Sequence, residues 1–293
     1  MKLTFSSPQV VCRPALPCDT ADVLEFTKFI WNGHDYIKYV WGEWMADTRG
    51  LLVAAEYGGR CVGIAKVTFV SPGQWWIEGL RVDPKFQGLK IGSHLHEYLD
   101  QWWLEHGDGF ARLMTSSKRV KVHHLCERLG YIKVADVKGY YAVATLDGSL
   151  DSFHPVGVDE VKTALEFALD SQTLKLTSLM DTGWQQVRPD DALLNEIVNV
   201  GQAYWWRGHK GLLLTRDDDD DEGRKVLGVI LPACELEVLP DFLLDIRRLA
   251  AAQGCKDAFW IAPVHDVVPG ALKDAGYKTA WEDAAYVYEK RHP

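Results

Sequence analysis

Residues 75 to 95 read WWIEGLRVDPKFQGLKIGSHL, and no other stretch of the 293-residue chain restricts its fold so tightly. A β-prone apolar run ends at Asp83-Pro84, a glycine-bearing loop follows, and helix-patterned sequence starts directly behind it. Ile91, Leu95, Tyr98, Leu99 and Trp102 recur at helical spacing and are expected on one buried face. A strand that feeds a helix through such a loop leaves the first N–H groups without intrahelical acceptors, with the positive end of the helix dipole behind them. A diphosphate suits that arrangement. Glycines allow close backbone approach, and Lys85 and Lys90 add positive charge. The loop is neither a P-loop, which needs G-x-x-x-x-G-K before Ser or Thr, nor a dinucleotide fingerprint with its ribose-binding acid.

Around this segment the first 146 residues read as a mixed α/β series. Val10 to Arg13 is a short strand, and Asp19 is placed to cap a helix with Val23, Phe26, Ile30 and Trp31 on its apolar side. Asp35 to Met45 is a second helix. Leu51 to Tyr57, Gly58-Gly59 and Cys61 to Val70 form a hairpin, because Gly-Gly suits a tight primed turn. After the loop come a strand at Phe110 to Thr115, a helix at Arg119 to Leu129 stopped by Gly130, and two strands, Ile132 to Val134 and Tyr140 to Thr145. The tail repeats part of the plan: LKDAGYKTAWEDAAYVYEK matches CERLGYIKVADVKGYYAVA in order of elements, which argues for duplication. The expected division is therefore 1–146, a helical linker 147–183, and a degenerate second copy 184–293 that lacks the QGLKIG loop. Trp102-Trp103 and Trp205-Trp206 are candidates for packing between the halves or for an exposed binding patch.

Charge narrows the partners. The formal net charge is −9, and the six consecutive acids Asp217 to Glu222 supply most of it, which does not suit binding to nucleic acid. Read as a calcium loop from Asp218, that run has Val229 where the twelfth-position acid belongs, so a solvated hairpin tip is expected. No apolar stretch is long enough to span a bilayer, and the start, MKLTFSSPQVVCRP, lacks the apolar core of a signal peptide; a cytoplasmic protein without a membrane partner is expected. The six cysteines form no CxxC pair, and His94/His96 and His123/His124 are spaced onto different helix faces, so no metal is expected.

On these residues the chain resembles the GNAT acetyltransferase superfamily, whose signature is Gln/Arg-x-x-Gly-x-Gly/Ala behind a strand. Here the window is Gln87-Gly88-Leu89-Lys90-Ile91-Gly92: Gln87 and Gly92 match, Lys90 stands at the central glycine, and Gly88 occupies a position that is often glycine. The order helix pair, hairpin, strand, loop, helix, strand, helix, Gly-aromatic, strand over residues 10 to 146 agrees with it. The resemblance implies an α/β fold with an α+β mixed sheet, the GNAT acyl-CoA N-acyltransferase fold, in two GNAT-like halves. It implies acetyl-CoA as co-substrate, with its pyrophosphate on the amides of Gln87, Gly88, Leu89, Lys90, Ile91, Gly92 and Ser93 and its pantetheine arm along Leu80, Arg81 and Val82. A backbone N–H of that strand would polarise the thioester, and the amine would attack directly. Aligned on Leu129-Gly130-Tyr131, Cys126 stands where the family places a tyrosine general acid and Arg119 where it places an asparagine near the cofactor. The simpler reading of Cys126 is a small buried helix residue.

Glu78, four residues before Val82, stands where many relatives carry an acid; it is the candidate general base, or else a structural glutamate. The segment WNGHDYIKYVWGEWM roofs the acceptor site in this family, which makes His34, Asp35, Tyr36 and Trp41 candidate substrate contacts for a small cationic or zwitterionic amine. Its HDY run is similar to a histidine N-acetyltransferase branch. Tyr36, Tyr39, Val40 and Trp44 also lie at core spacing, and His34 and Asp35 could serve the helix start. The expected activity is N-acetylation of a small molecule or amino acid by a monomer or homodimer. The alternatives are acetylation of a protein lysine or N-terminus, and a non-catalytic acyl-CoA-binding module.

Overall fold

The computed structural model describes residues 9–148, 151–220 and 222–293. Residues 1–8, on which most of the signal-peptide reading rests, residues 149–150 of the expected linker and Asp221 of the acidic run lie outside the described residues. The chain divides into two compact units that cut across its sequence order. The first holds the residues up to Leu113 together with His124–Tyr131 and Lys290–Pro293; the second holds Met114–His123 and Ile132–Glu289. The expected sequential division at 146 thus differs from the contact-defined one, which groups Ile132 onward with the tail.

In chain order, the elements leading through the first unit are β1 (Val11–Pro14), α1 (Thr20–Thr27), α2 (Ile37–Ala46), β2 (Leu51–Tyr57), β3 (Arg60–Ser71), β4 (Gln74–Val82), α3 (Ile91–His106), β5 (Phe110–Ser116) and α4 (Val120–Arg128). Strands β1 to β5 lie in sequence order, antiparallel except for the parallel pair β4–β5. Gly58 and Gly59 carry φ of 60° and 78°, as a primed turn between β2 and β3 requires. Strand β3 is buried from Cys61 to Val67 because both of its faces are covered. Val23, Phe26, Ile37, Trp41 and Trp44 of α1 and α2 pack with Leu52, Ala54, Cys61 and Ile64. Elsewhere on β3, a Cβ on Gly63 would stand 2.9 Å from Ile91 Cγ2, so α3 lies directly on that glycine. Asp19 opens α1 but does not cap it: its carboxylate accepts two 2.8 Å bonds from Arg13 and one of 2.7 Å from the Leu16 amide.

The remaining elements are β6 (Ile132–Val143), β7 (Phe153–Pro155), α5 (Val161–Asp170), α6 (Gln172–Lys175), β8 (Met180–Asp181), β9 (Gln186–Val187), α7 (Asp191–Asn199), β10 (Ala203–Trp206), β11 (Gly211–Asp219), β12 (Lys225–Cys234), α8 (Leu239–Ala252), β13 (Asp257–Pro263), α9 (Val268–Asp274), β14 (Lys278–Thr279) and β15 (Ala285–Arg291). The second unit's sheet runs β15-β6-β13-β12-β11-β10-β7, with β14 also on β6, while β8 and β9 pair separately. Three expectations are corrected here. Strand β6 is continuous where a break was expected, because Gly139 serves a close approach and not a turn: its Cβ would stand 2.2 Å from the Trp281 ring. Asp217, Asp218 and Asp219 lie in β11, paired with Leu227, Val226 and Lys225; the chain turns beyond them, where the Gly223 amide donates to Asp220 O at 2.9 Å, and Arg216 and Arg224 offset the charge. The tryptophan pairs pack inside their own units, Trp206 stacked on Phe242 and bonded to Asp245, Trp103 edge-on to His292. Among the described residues no helix is long and apolar enough to cross a membrane, and no group of three His, Cys, Asp or Glu side chains could hold a metal ion.

The buried face of α3 carries Trp103 where Trp102 was expected, and it also carries His96. This ring lies 5.6 Å from that of Tyr131, close to Asp100, whose carboxylate is held by Lys290 at 2.8 Å. Burial pushes the imidazole from its ordinary 6.5 down to about 4. Between those values the unfolded chain binds a proton that the folded chain refuses, so stability falls as pH drops from 6.5 towards 4. The full shift is worth about 3 kcal/mol. Urea unfolding of His96→Gln across this range is expected to show a flatter acid-side loss than the wild type; parallel curves would remove His96 as its source.

Candidate active site

Strand β4 changes partners along its length. It pairs in parallel with β5 only from Gln74 to Trp76, and beyond that point its β5-facing edge has no strand partner among the described residues. Across on β3, the register slips by one residue between Ile64/Arg81 and Lys66/Glu78, a β-bulge centred on Gly79 and Leu80. Gly79 sits at φ 66°, and a Cβ there would stand 2.4 Å from Trp44 Cη2. Glycine is thus required twice, by the backbone and by the α2 ring laid on it.

At the end of β4, the Asp83 amide donates to Val62 O at 2.9 Å, and its carboxylate accepts from the Lys85 amide at 2.9 Å, which forms a 3-10 turn over Pro84–Phe86. Phe86 meets Tyr57 edge-on at 5.7 Å and fastens the turn to the hairpin. The chain then passes Gly88 at φ 90° and Lys90 at φ 58°, and α3 begins at Ile91. Lys90 therefore adopts the left-handed conformation for which the signature glycine is suited. Among the described residues nothing accepts a hydrogen bond from the six N–H groups of residues 87–92. The Ser93 amide departs from the expected set: it donates to Lys90 O at 2.9 Å. A Cβ on Gly92 would meet only the Leu80 and Val82 side chains, at 3.9 Å, so packing does not demand glycine there. Six unpartnered amides at the positive end of a long helix fit a bound pyrophosphate.

Arg81 and Asp35 serve each other. Nε donates to Oδ2 at 2.7 Å and Nη2 to Oδ1 at 3.3 Å, while Nη1 reaches Leu80 O at 3.2 Å. Both side chains are buried, and the guanidinium lies 4.1 Å from the Trp31 ring and 5.1 Å from that of Tyr36. Asp35 Oδ1 also accepts from the Ile37 amide at 3.2 Å, at the start of α2. The carboxylate expected to touch substrate is therefore engaged within the protein. Trp41 is likewise core, its indole N–H donating to Thr20 Oγ1 at 3.0 Å. His34 and Tyr36 remain at the surface. Glu78 is half-buried and accepts a 2.5 Å bond from the Thr68 hydroxyl. Burial raises its pKa above the ordinary value, opposed by the Thr68 bond and by Lys66, a buried ammonium paired with Asp47.

Cys126 is fully buried and its thiol is pushed up to about 12, the setting of a packed helix residue that keeps its proton. Arg119 belongs to the second unit, where its carbonyl accepts from the Val122 and His123 amides at the start of α4. Sequence reasoning placed Trp44 at core spacing but missed Gly79, although a glycine inside a strand pattern is itself a bulge signal. Gly79→Ala is expected to cost about 2–4 kcal/mol in urea unfolding, because strain and overpacking add. Gly88→Ala, with φ also positive but nothing within 4 Å, is expected to cost about 1 kcal/mol. Equal losses would mean that Trp44 yields freely.

Comparison with known proteins places these features. Residues 20–131 match the acetyltransferase (GNAT) family. No curated protein matches the sequence. Among solved structures, the chain is similar to a GCN5-related N-acetyltransferase from Sphaerobacter thermophilus, with 12% identity and a TM-score of 0.65 over 97% of this chain and 96% of that one. A tandem GNAT protein from the clavulanic acid biosynthesis pathway has 9% identity and a TM-score of 0.60 over 97% and 99%. The GCN5-related glucosamine N-acetyltransferase region of a fungal multi-domain β-N-acetylglucosaminidase has 14% identity and a TM-score of 0.67, over 97% of this chain and 38% of that one. At these identities the likeness is one of fold: a mixed α/β sheet that matches GNAT structures, in two halves as in the tandem relative. Residues 20–131 are therefore an acetyltransferase domain of the GNAT family.

Proposed function

We propose that this protein is an acetyl-CoA-dependent N-acetyltransferase acting on the amine of a small molecule or amino acid. The observation that carries the reading is the row of six unpartnered amides, residues 87–92, at the start of the 16-residue α3. In this reading those amides hold the pyrophosphate, with Lys85 and Lys90 adding charge, and the free edge of β4 at Leu80, Arg81 and Val82 receives the pantetheine arm. Acetyl-CoA supplies an activated acetyl group, so the protein needs no nucleophile of its own. Its work is to present the acceptor amine without its proton.

Glu78 is suited to taking that proton, because a carboxylate whose proton affinity is raised by burial is a stronger base than a free one. Arg81 and Asp35 neutralise each other, and the guanidinium already lies over the Trp31 and Tyr36 rings, so in this reading a cationic acceptor meets what those rings still expose to solvent. Cys126 is closed off from solvent, so in this reading the departing thiolate takes its proton from water. The two relatives named for glucosamine and for clavulanic acid biosynthesis favour a small acceptor over a protein.

Calorimetric titration of acetyl-CoA is expected to show binding that Gly92→Trp abolishes while circular dichroism stays unchanged; a wild type that binds none would end the reading. With amino acids, amino sugars and polyamines screened by thiol release, Glu78→Gln is expected to lower kcat by about 10²–10⁴-fold and leave acetyl-CoA affinity intact. Because Glu78 must be ionised to act, wild-type activity should fall as pH drops through its raised pKa, with an acid limb above the ordinary carboxylate range of about 4.3 that the variant lacks. An identical limb in both proteins would assign the base elsewhere.

A further inference from the structure

The second unit repeats the plan that makes the site in the first, and then fills it. Strands β11 and β12 are antiparallel, and β12 and β13 are parallel only from Val226/Asp257 to Val229/Trp260, so the last part of β12 has a free edge like that of β4. A 3-10 turn follows at Leu236–Val238, as one follows β4 at Pro84–Phe86. In the first unit Gln87 to Lys90 stand between turn and helix; in the second, α8 begins at Leu239 with no residue between. The glycine-bearing stretch is the part that is missing.

The free edge of β12 is occupied by the connector. Thr173 Oγ1 donates to Pro232 O at 2.8 Å and accepts from the Cys234 N–H at 3.0 Å, all three residues being buried. A neighbouring strand bonds a strand edge in this way, accepting from one residue and donating to the carbonyl two residues before it, and here one hydroxyl does both. Pro232, with no N–H to offer, is tolerated at an edge that has no strand partner. Next to it, Gln172 Oε1 accepts from the Leu236 amide at 3.1 Å, on the 3-10 turn ahead of α8. The strand edge, which is left open at Leu80 to Val82 in the first unit, is here taken by Thr173, and its neighbour Gln172 takes the first amide of the turn, where the first unit has Pro84 with no N–H.

We propose that Gln172 and Thr173 are a built-in occupant of the second unit's counterpart of the cofactor place, so that each chain takes one acetyl-CoA, in the first unit. The stoichiometry rests on the reading given under Proposed function; the occupant does not. Hydrogen exchange at the Cys234 amide tests the occupant directly. Exchange should be slow in the wild type and in Thr173→Ser and at least tenfold faster in Thr173→Val, whereas equal rates in all three would overturn the proposal. Calorimetry of acetyl-CoA adds a test that needs no destabilised variant: one equivalent lost in Gly92→Trp supports it, and a second equivalent, or binding that survives Gly92→Trp, overturns it. If the wild type binds none, the acetyl-CoA reading fails while the exchange rates still decide the occupant.

Discussion

Gly79 and Trp44 occupy one volume between them. The strand can bulge there only because glycine tolerates φ 66° and leaves room for the ring, and α2 can seat Trp44 only because no Cβ opposes it. Much of the first unit's site follows from this contact. The bulge shifts the register on β3, places Glu78 and Arg81 at its two flanks, and lets β4 go on without a β5 partner after Trp76. It also fixes the height of α2, and with it the segment that carries Trp31, Asp35 and Tyr36.

Charge is handled differently on the two flanks. Arg81 and Asp35 form a closed pair with ring faces against the guanidinium, and removing either partner would strand a buried charge. Lys66 is almost fully buried and is answered by Asp47, so the same ammonium only partly opposes the effect of burial on Glu78. Its carboxylate is held by a neutral hydroxyl, which is why burial dominates and its proton affinity rises. A residue with that balance is suited to exchange a proton, whereas Asp35, also a carboxylate and more deeply buried, is committed to structure.

The two units show what one plan becomes with and without a short loop. Both run an antiparallel strand pair into a parallel one that ends early, and both place a 3-10 turn before a long helix. An edge left open in a protein interior must be satisfied by something. In the first unit the insertion Gln87–Lys90 spreads turn and helix apart and leaves amides facing outward. In the second, that stretch is missing, and α6 supplies a hydroxyl to the strand edge and a carboxamide to the first amide of the turn.

What was legible in the sequence was what neighbours along the chain decide: the Gly-Gly turn, the Asp-Pro end of β4, the loop-to-helix junction, the periodic face of α3 and the repeated Gly-Tyr endings. Each depends on backbone preferences over a few residues, and the family resemblance rested on their order. Side-chain roles were less legible, because they depend on who is met across the fold. Asp35 and Arg81 are 46 positions apart and Thr173 and Cys234 are 61 apart, and no local pattern announces either pair. Gly139 has the look of a turn until Trp281 is seen against it, and Cys126 could be a donor or a packed thiol until its burial is known. The sequence by itself determined the α/β order and the phosphate-type loop, since backbone geometry is set locally. Only the tertiary structure decided which acid is locked in an ion pair and which strand edge is already filled, since burial and pairing arise when distant segments pack.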